Sequence, residues 1–113
     1  MGGGLGGMMR LLKTSLFAVW SSLVVMMYVT VAQAADPRAG AKTYEQHCVN
    51  CHGAGGQGNM PGIPNFARGE GLLQSNDKLL AAIENGKGIM PAYRGLLSTQ
   101  EIRDVIAHLR TMH

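Results

Sequence analysis

Five residues, Cys48-Val49-Asn50-Cys51-His52, limit this chain more than any other stretch of it. They spell C-x-x-C-H, the attachment signature for haem. Two cysteines three apart at a helix end lie on nearly one face, so both sulfurs can reach the two vinyl groups of one porphyrin. The next residue, His52, can then turn its imidazole onto the iron. A chain built this way folds around a flat, largely apolar group that it cannot afterwards lose. Other uses of C-x-x-C fit less well. A thiol redox pair calls for a βαβ pattern nearby, and none is visible. A zinc site would draw on Cys48, Cys51 and two of His47, His52, His108 and His113. The usual downstream spacings are met only loosely, by His108 and His113.

The first 34 residues read as an export signal and not as part of the working fold. Arg10 and Lys13 form a positive n-region, residues 14–34 carry no charged side chain, and Ala32-Gln33-Ala34 is an A-x-A cleavage site. Cleavage after Ala34 leaves residues 35–113 as one small domain. The alternative is an uncleaved membrane anchor, since residues 14–34 are long enough to cross a bilayer core of about 30 Å. The polar Ser21-Ser22 pair interrupts that run and favours cleavage. Export and the haem motif agree with one another, because haem is joined to C-x-x-C-H on the outer face of the energy-coupling membrane. The location expected is the periplasm, with membrane attachment only if the N-terminal segment is retained.

The formal charge of +3 belongs to the whole chain. Removing Arg10 and Lys13 from the ten basic side chains leaves eight against seven acidic ones. Two haem propionates would make the domain slightly negative, which argues against nucleic-acid binding. A domain this small buries too little apolar surface to be comfortable without a staple. A covalently held haem would be that staple and most of the core. Both cysteines are then used, and no disulfide is expected.

The spacing predicts an all-α domain. Asp36-Pro37 reads as N-cap and first turn of a helix running to about Asn50. Gly40, Tyr44, His47, Cys48 and Cys51 share one face of it. Residues 53–64 form a Gly- and Pro-rich loop. Within it Gly53-Ala54-Gly55-Gly56-Gln57-Gly58 matches G-x-G-x-x-G, but no strand precedes it and no helix opens from it, so it is no dinucleotide site. Ser75 or Asn76 caps a second helix ending at Gly86, with Leu79, Leu80 and Ile83 on its apolar face. Ser98-Thr99-Gln100-Glu101 is a capping box for the last helix. There Ile102, Val105, Ile106 and Leu109 follow at helical spacing.

Taken together these residues resemble the class I monohaem c-type cytochromes of the small exported bacterial kind. The likeness covers residues 36–113 and has four parts: C-V-N-C-H at the end of an N-terminal helix, Ile63-Pro64-Asn65-Phe66 in a Gly-rich loop, the segment Asn85-Gly86-Lys87-Gly88-Ile89-Met90-Pro91-Ala92-Tyr93, and a capped amphipathic helix at the end. The resemblance implies three to four short helices wrapped around one haem c. It implies thioethers from Cys48 and Cys51, His52 as proximal ligand, and a distal methionine followed by proline. Met60, Met90 and Met112 are the candidates. Met90 follows His52 by 38 residues, enough to cross the haem edge. Met60 follows by only eight and stands on the loop that the family places on the proximal side. Met112 lies after the last helix, as surface or core filler. Met90 is therefore the expected ligand.

The resemblance also gives the Pro64 carbonyl the N–H of the ligating His52. It makes Gly40 and Tyr44 the crossing point of the first and last helices, against Val105, Ile106 and Leu109. Tyr93 would pack on the haem or bond a propionate. His108 is expected on the polar side of its helix, in solvent. The function implied is one-electron transfer with transient redox partner proteins by a monomer, without substrate chemistry. A dedicated cytochrome subunit of a dehydrogenase or oxidase complex is the alternative. A haem with Met90 displaced, acting as peroxidase or gas sensor, is the third.

Overall fold

A computed structural model describes residues 33–113, together with residues 6, 7, 9 and 10. The chain divides into two units, residues 1–33 and residues 34–113. Every element below belongs to the second. The export signal expected over residues 1–34 lies almost wholly outside the described residues.

Four α-helices and one 3₁₀ turn make up the second unit: α1 Pro37–His47, α2 Val49–His52, α3 Asn76–Asn85 and α4 Thr99–Leu109, with the 3₁₀ turn at Phe66–Arg68. Among the described residues there is no strand, only isolated bridges such as that between Lys87 and Met90. The fold is all-α.

The caps follow from local chemistry. The Asp36 carboxylate accepts from the Arg38 N–H at 2.8 Å, with Pro37 opening α1. Ser75 caps α3, accepting from Lys78 N–H. Ser98 and Glu101 form the reciprocal capping box of α4. The first helix differs from expectation. It does not run unbroken to Asn50 but stops at Cys48, whose φ of −120° leaves the helical region. The hydrogen bonds Cys48 N–H to Tyr44 O and His52 N–H to Cys48 O continue across the break. The chain is thus interrupted at one residue and goes on as α2. The buried Tyr44 hydroxyl donates to Gly53 O at 2.7 Å and ties the end of α2 to α1.

Helices α1 and α4 cross at Gly40. A Cβ there would stand 1.9 Å from Asp104 O and 2.7 Å from Val105 N, so only glycine fits. Below the crossing lie Tyr44, Ile102, Val105, Ile106 and Leu109, all buried in one core. Asp104 is buried too, and its carboxylate accepts from Asp36 N–H at 2.8 Å and Gln100 Nε2 at 2.9 Å. These bonds offset the cost of removing its charge from water. His108 departs from expectation. It is half-buried, its ring edge-on to Tyr44 with centroids 5.4 Å apart. At the end of α4 the Arg110 guanidinium donates to the carbonyls of Leu72 and Gln74 and to Asn76 Oδ1. It ties the segment before α3 to the last helix and helps bury Leu72.

Candidate cofactor site

The elements enclose a cavity of about 500 Å³ with mainly apolar walls. Cys48 and His52 reach it from α1–α2, Pro64 and Phe66 from the loop, Leu79 and Ile83 from α3, Met90 and Tyr93 from the segment after α3, and Val105 and Leu109 from α4. The three aromatic residues beyond Ala34, namely Tyr44, Phe66 and Tyr93, are all buried and all line it.

On one side, α2 presents His52. Its imidazole stacks on Phe66, with centroids 4.7 Å apart and planes 16° from parallel. Burial lowers its pKa below 6.5, so the ring is neutral at pH 7 and has a lone pair to offer a metal. Its Nδ1 is buried and has no hydrogen-bond partner. The donation to Pro64 O expected from the resemblance is not made in this structure, although Pro64 lines the same cavity. Cys48 is half-buried on the wall. Burial first, and the Cys51 thiol second, push its pKa up to about 11. Cys51 is exposed and is not part of the cavity lining, yet it is near enough to influence both Cys48 and Tyr93.

The Met90 segment is held by backbone. Lys87 and Met90 exchange N–H to carbonyl bonds at 3.2 and 3.0 Å. Tyr93 N–H donates to Ile83 O and Arg94 N–H to Glu84 O. The Arg94 guanidinium pairs with Glu84 at 3.1 Å. Gly86, at φ +73°, allows the turn; a Cβ there would lie 2.6 Å from Met90 O. Met90 is half-buried on the cavity wall. Met60 is 41% exposed and is not on that wall. Met112 is partly buried behind Gly56, on the core side. Neither His108 nor His113 reaches the cavity. The Tyr93 hydroxyl donates to His47 O at 2.8 Å. Its ring therefore faces the cavity while its hydroxyl is committed to the end of α1.

An apolar chamber with a half-buried imidazole, a cysteine sulfur and a methionine thioether on its walls forms a donor set that suits a covalently held haem. Comparison with known proteins agrees. The family described as "Cytochrome C oxidase, cbb3-type, subunit III" matches residues 35–109. This chain belongs to the class I monohaem c-type cytochromes. It is 35% identical to cytochrome c6 of Leptolyngbya boryana over 66% of this chain and 91% of that one. It is 31% identical to cytochrome c6 of Nostoc sp. over 84% and 87%. It also resembles the cbb3-type cytochrome c oxidase subunit FixP of a Bradyrhizobium strain, at 35% identity over 71% of this chain but 29% of that protein. The solved structure of cytochrome c6 from the diatom Phaeodactylum tricornutum superposes with a TM-score of 0.55 at 28% identity, covering 66% of this chain and 91% of that one. The cytochrome's cofactor is haem c and its function is electron transfer.

Sequence reasoning passed over Phe66, Asp104 and Arg110. Phe66 carried a signal, as the lone aromatic in a loop of glycines. Asp104 and Arg110 carried none, because each has backbone partners far away in the chain: Asp36 N–H for Asp104, and the carbonyls of Leu72 and Gln74 for Arg110.

Proposed function

We propose that the cytochrome is an exported, monomeric one-electron carrier. Cys48 and Cys51 would hold its haem by thioethers, and His52 and Met90 would be the ligands of its iron. The observation that carries this reading is the presence of His52 and Met90 on the walls of one cavity from which Met60 is absent. Haem c supplies reversible Fe(III)/Fe(II) redox chemistry. The protein's part would be to bury the macrocycle, exclude water with apolar walls, and offer the iron His52 and Met90 so that no small molecule is activated. A neutral thioether favours the ferrous state, so the potential is positive. Exposed Ile89, at the cavity rim, gives partner proteins an apolar contact for brief docking. Cleavage after Ala34 would release residues 35–113 to the periplasm. Among the described residues no helix is long and apolar enough to cross a membrane.

Membership of a larger oxidase complex is the second reading, favoured by the matching family's description and by FixP. The coverage supports the carrier instead: this chain spans 91% of a cytochrome c6 but 29% of FixP. Co-purification with a large membrane partner would reverse that preference.

The test is a pair of variants of the purified holoprotein. Met90→Ala should abolish the near-infrared sulfur-to-iron band, let carbon monoxide bind the reduced form, and lower the potential by on the order of tenths of a volt. Met60→Ala should leave all three nearly unchanged. The reverse pattern would transfer the ligand role to Met60.

A further inference from the structure

Asp104 joins α4 to α1 at two points. Its backbone closes on Gly40, where a Cβ would not fit. Its carboxylate accepts from Asp36 N–H at 2.8 Å, across 68 residues of chain, and from Gln100 Nε2 at 2.9 Å. The residue is 8% exposed. Both of these donors are neutral. They satisfy an oxygen but bring no opposite charge to a carboxylate taken largely out of water. The cations beside this point in sequence, Arg38 in α1 and Arg103 in α4, are both exposed. Among the described residues neither forms an ion pair with Asp104. Directly before Asp36 stands Ala35, itself exposed and one residue from the bond to Asp104. Ala35 is also the residue that cleavage after Ala34 would leave first.

We propose that cleavage after Ala34 creates the counter-charge of Asp104: the α-ammonium of Ala35 pairs with that carboxylate and fastens the start of α1 to α4. This rests on the reading that the export segment is removed at that bond. Hydrolysis by an export peptidase adds one water to the Ala34–Ala35 amide. Ala34 leaves with the new carboxylate, and the amine of Ala35 takes up a proton. A neutral peptide N–H thereby becomes a cation. Neighbouring Cα atoms are about 3.8 Å apart, so the ammonium stands within short reach of the carboxylate that already holds the next N–H. The sign of the effect separates this pair from an ordinary N-terminus. The start of α1 carries the positive end of a helix dipole, which repels an ammonium. On that ground alone the amine would be more acidic than usual, and capping it would stabilise the fold. Pairing with Asp104 demands the reverse on both counts. The Asp36 carboxylate also lies close, but it accepts from Arg38 N–H and is present whether or not residue 104 is charged.

The experiment uses exported holoprotein whose intact mass shows a start at Ala35. The α-amino pKa is read by NMR titration in wild type and in Asp104→Asn, which keeps an acceptor for Asp36 N–H and removes the charge. The wild-type value should lie above the ordinary range of about 7.7–8.0. Asp104→Asn should lower it by about half a unit or more, a roughly threefold weaker hold on the proton. Equal values in the two proteins, or a wild-type value below that range, would overturn the proposal. If Asp104→Asn yields too little holoprotein, the wild type decides alone. Acetylating its α-amino group, with the lysines untouched, should lower the urea midpoint. The difference should shrink in about 1 M salt, where the screening length is about 3 Å. A midpoint unchanged or raised by acetylation overturns the pairing. Holoprotein that does not begin at Ala35 is a different failure, that of the cleavage reading, and the proposal falls with it.

Discussion

Gly40 shows how a single position can set a fold. Alanine is the better helix former by nearly 1 kcal/mol, so at an ordinary helical site Gly40→Ala would stabilise. Here the added carbon meets backbone of α4 at 1.9 Å, and backbone cannot swing aside. The expected outcome is a net loss of about 1–3 kcal/mol, seen as a lower urea midpoint of the holoprotein. His108 offers a second test, in pH. Burial against Tyr44 lowers its pKa below 6.5, so the folded state prefers the neutral ring. Stability from this source is complete above pH 6.5 and is lost as pH falls through the folded pKa, because the unfolded chain then binds the proton more readily. Urea midpoints measured at successive pH values should fall across that window for wild type and less steeply for His108→Gln. Glu101 acts lower: hydrogen bonds from Ser98 hold its pKa below 4.5, so the capping box weakens only in stronger acid.

Helix ends were the most legible elements, because a cap is settled by a few neighbouring residues. Asp36-Pro37, Ser75 and the Ser98–Glu101 box all stand where local chemistry placed them. Ser98→Ala removes an acceptor for the Glu101 N–H and a partner of its carboxylate. The expected cost is about 1 kcal/mol, measured by thermal or urea unfolding. The end of α1 was not legible. The break at Cys48 stands beside the bond from the Tyr44 hydroxyl to Gly53 O, a contact no periodicity encodes. His108 was misplaced for a similar reason: it stands at the edge of the apolar stripe of α4, and which side it joins is decided by Tyr44 on another helix. The C-x-x-C-H run was legible as a motif, and the structure brings Cys48, His52 and Met90 to the walls of one cavity. The stacking of Phe66 on His52 could not be read, since it depends on how the loop after Pro64 folds.

At the scale of the whole molecule, the cavity is large for so small a domain. Its lining is drawn from all four helices α1 to α4, so no single element closes it. A chain this short has little other core with which to make good the loss if the chamber is not filled. Replacing both Cys48 and Cys51 by Ser should therefore do more than remove colour. The expected product is a chain without bound haem and without a cooperative thermal transition in circular dichroism. A cooperatively folded, haem-free double variant would show that α1 and α4 suffice alone.

The Gly40 crossing also bears on timing. Of the helices named above, α1 is made before α4, and the crossing at Gly40 needs both. A chain threaded through a channel N-terminus first has Cys48, Cys51 and His52 outside while α4 is still within. During that interval the α4 side of the chamber beside Cys48 would be missing, and the ring face of Tyr44 would wait without its partner. Cys51 stays exposed even in the folded chain, so it is Cys48 whose surroundings the final helix would complete.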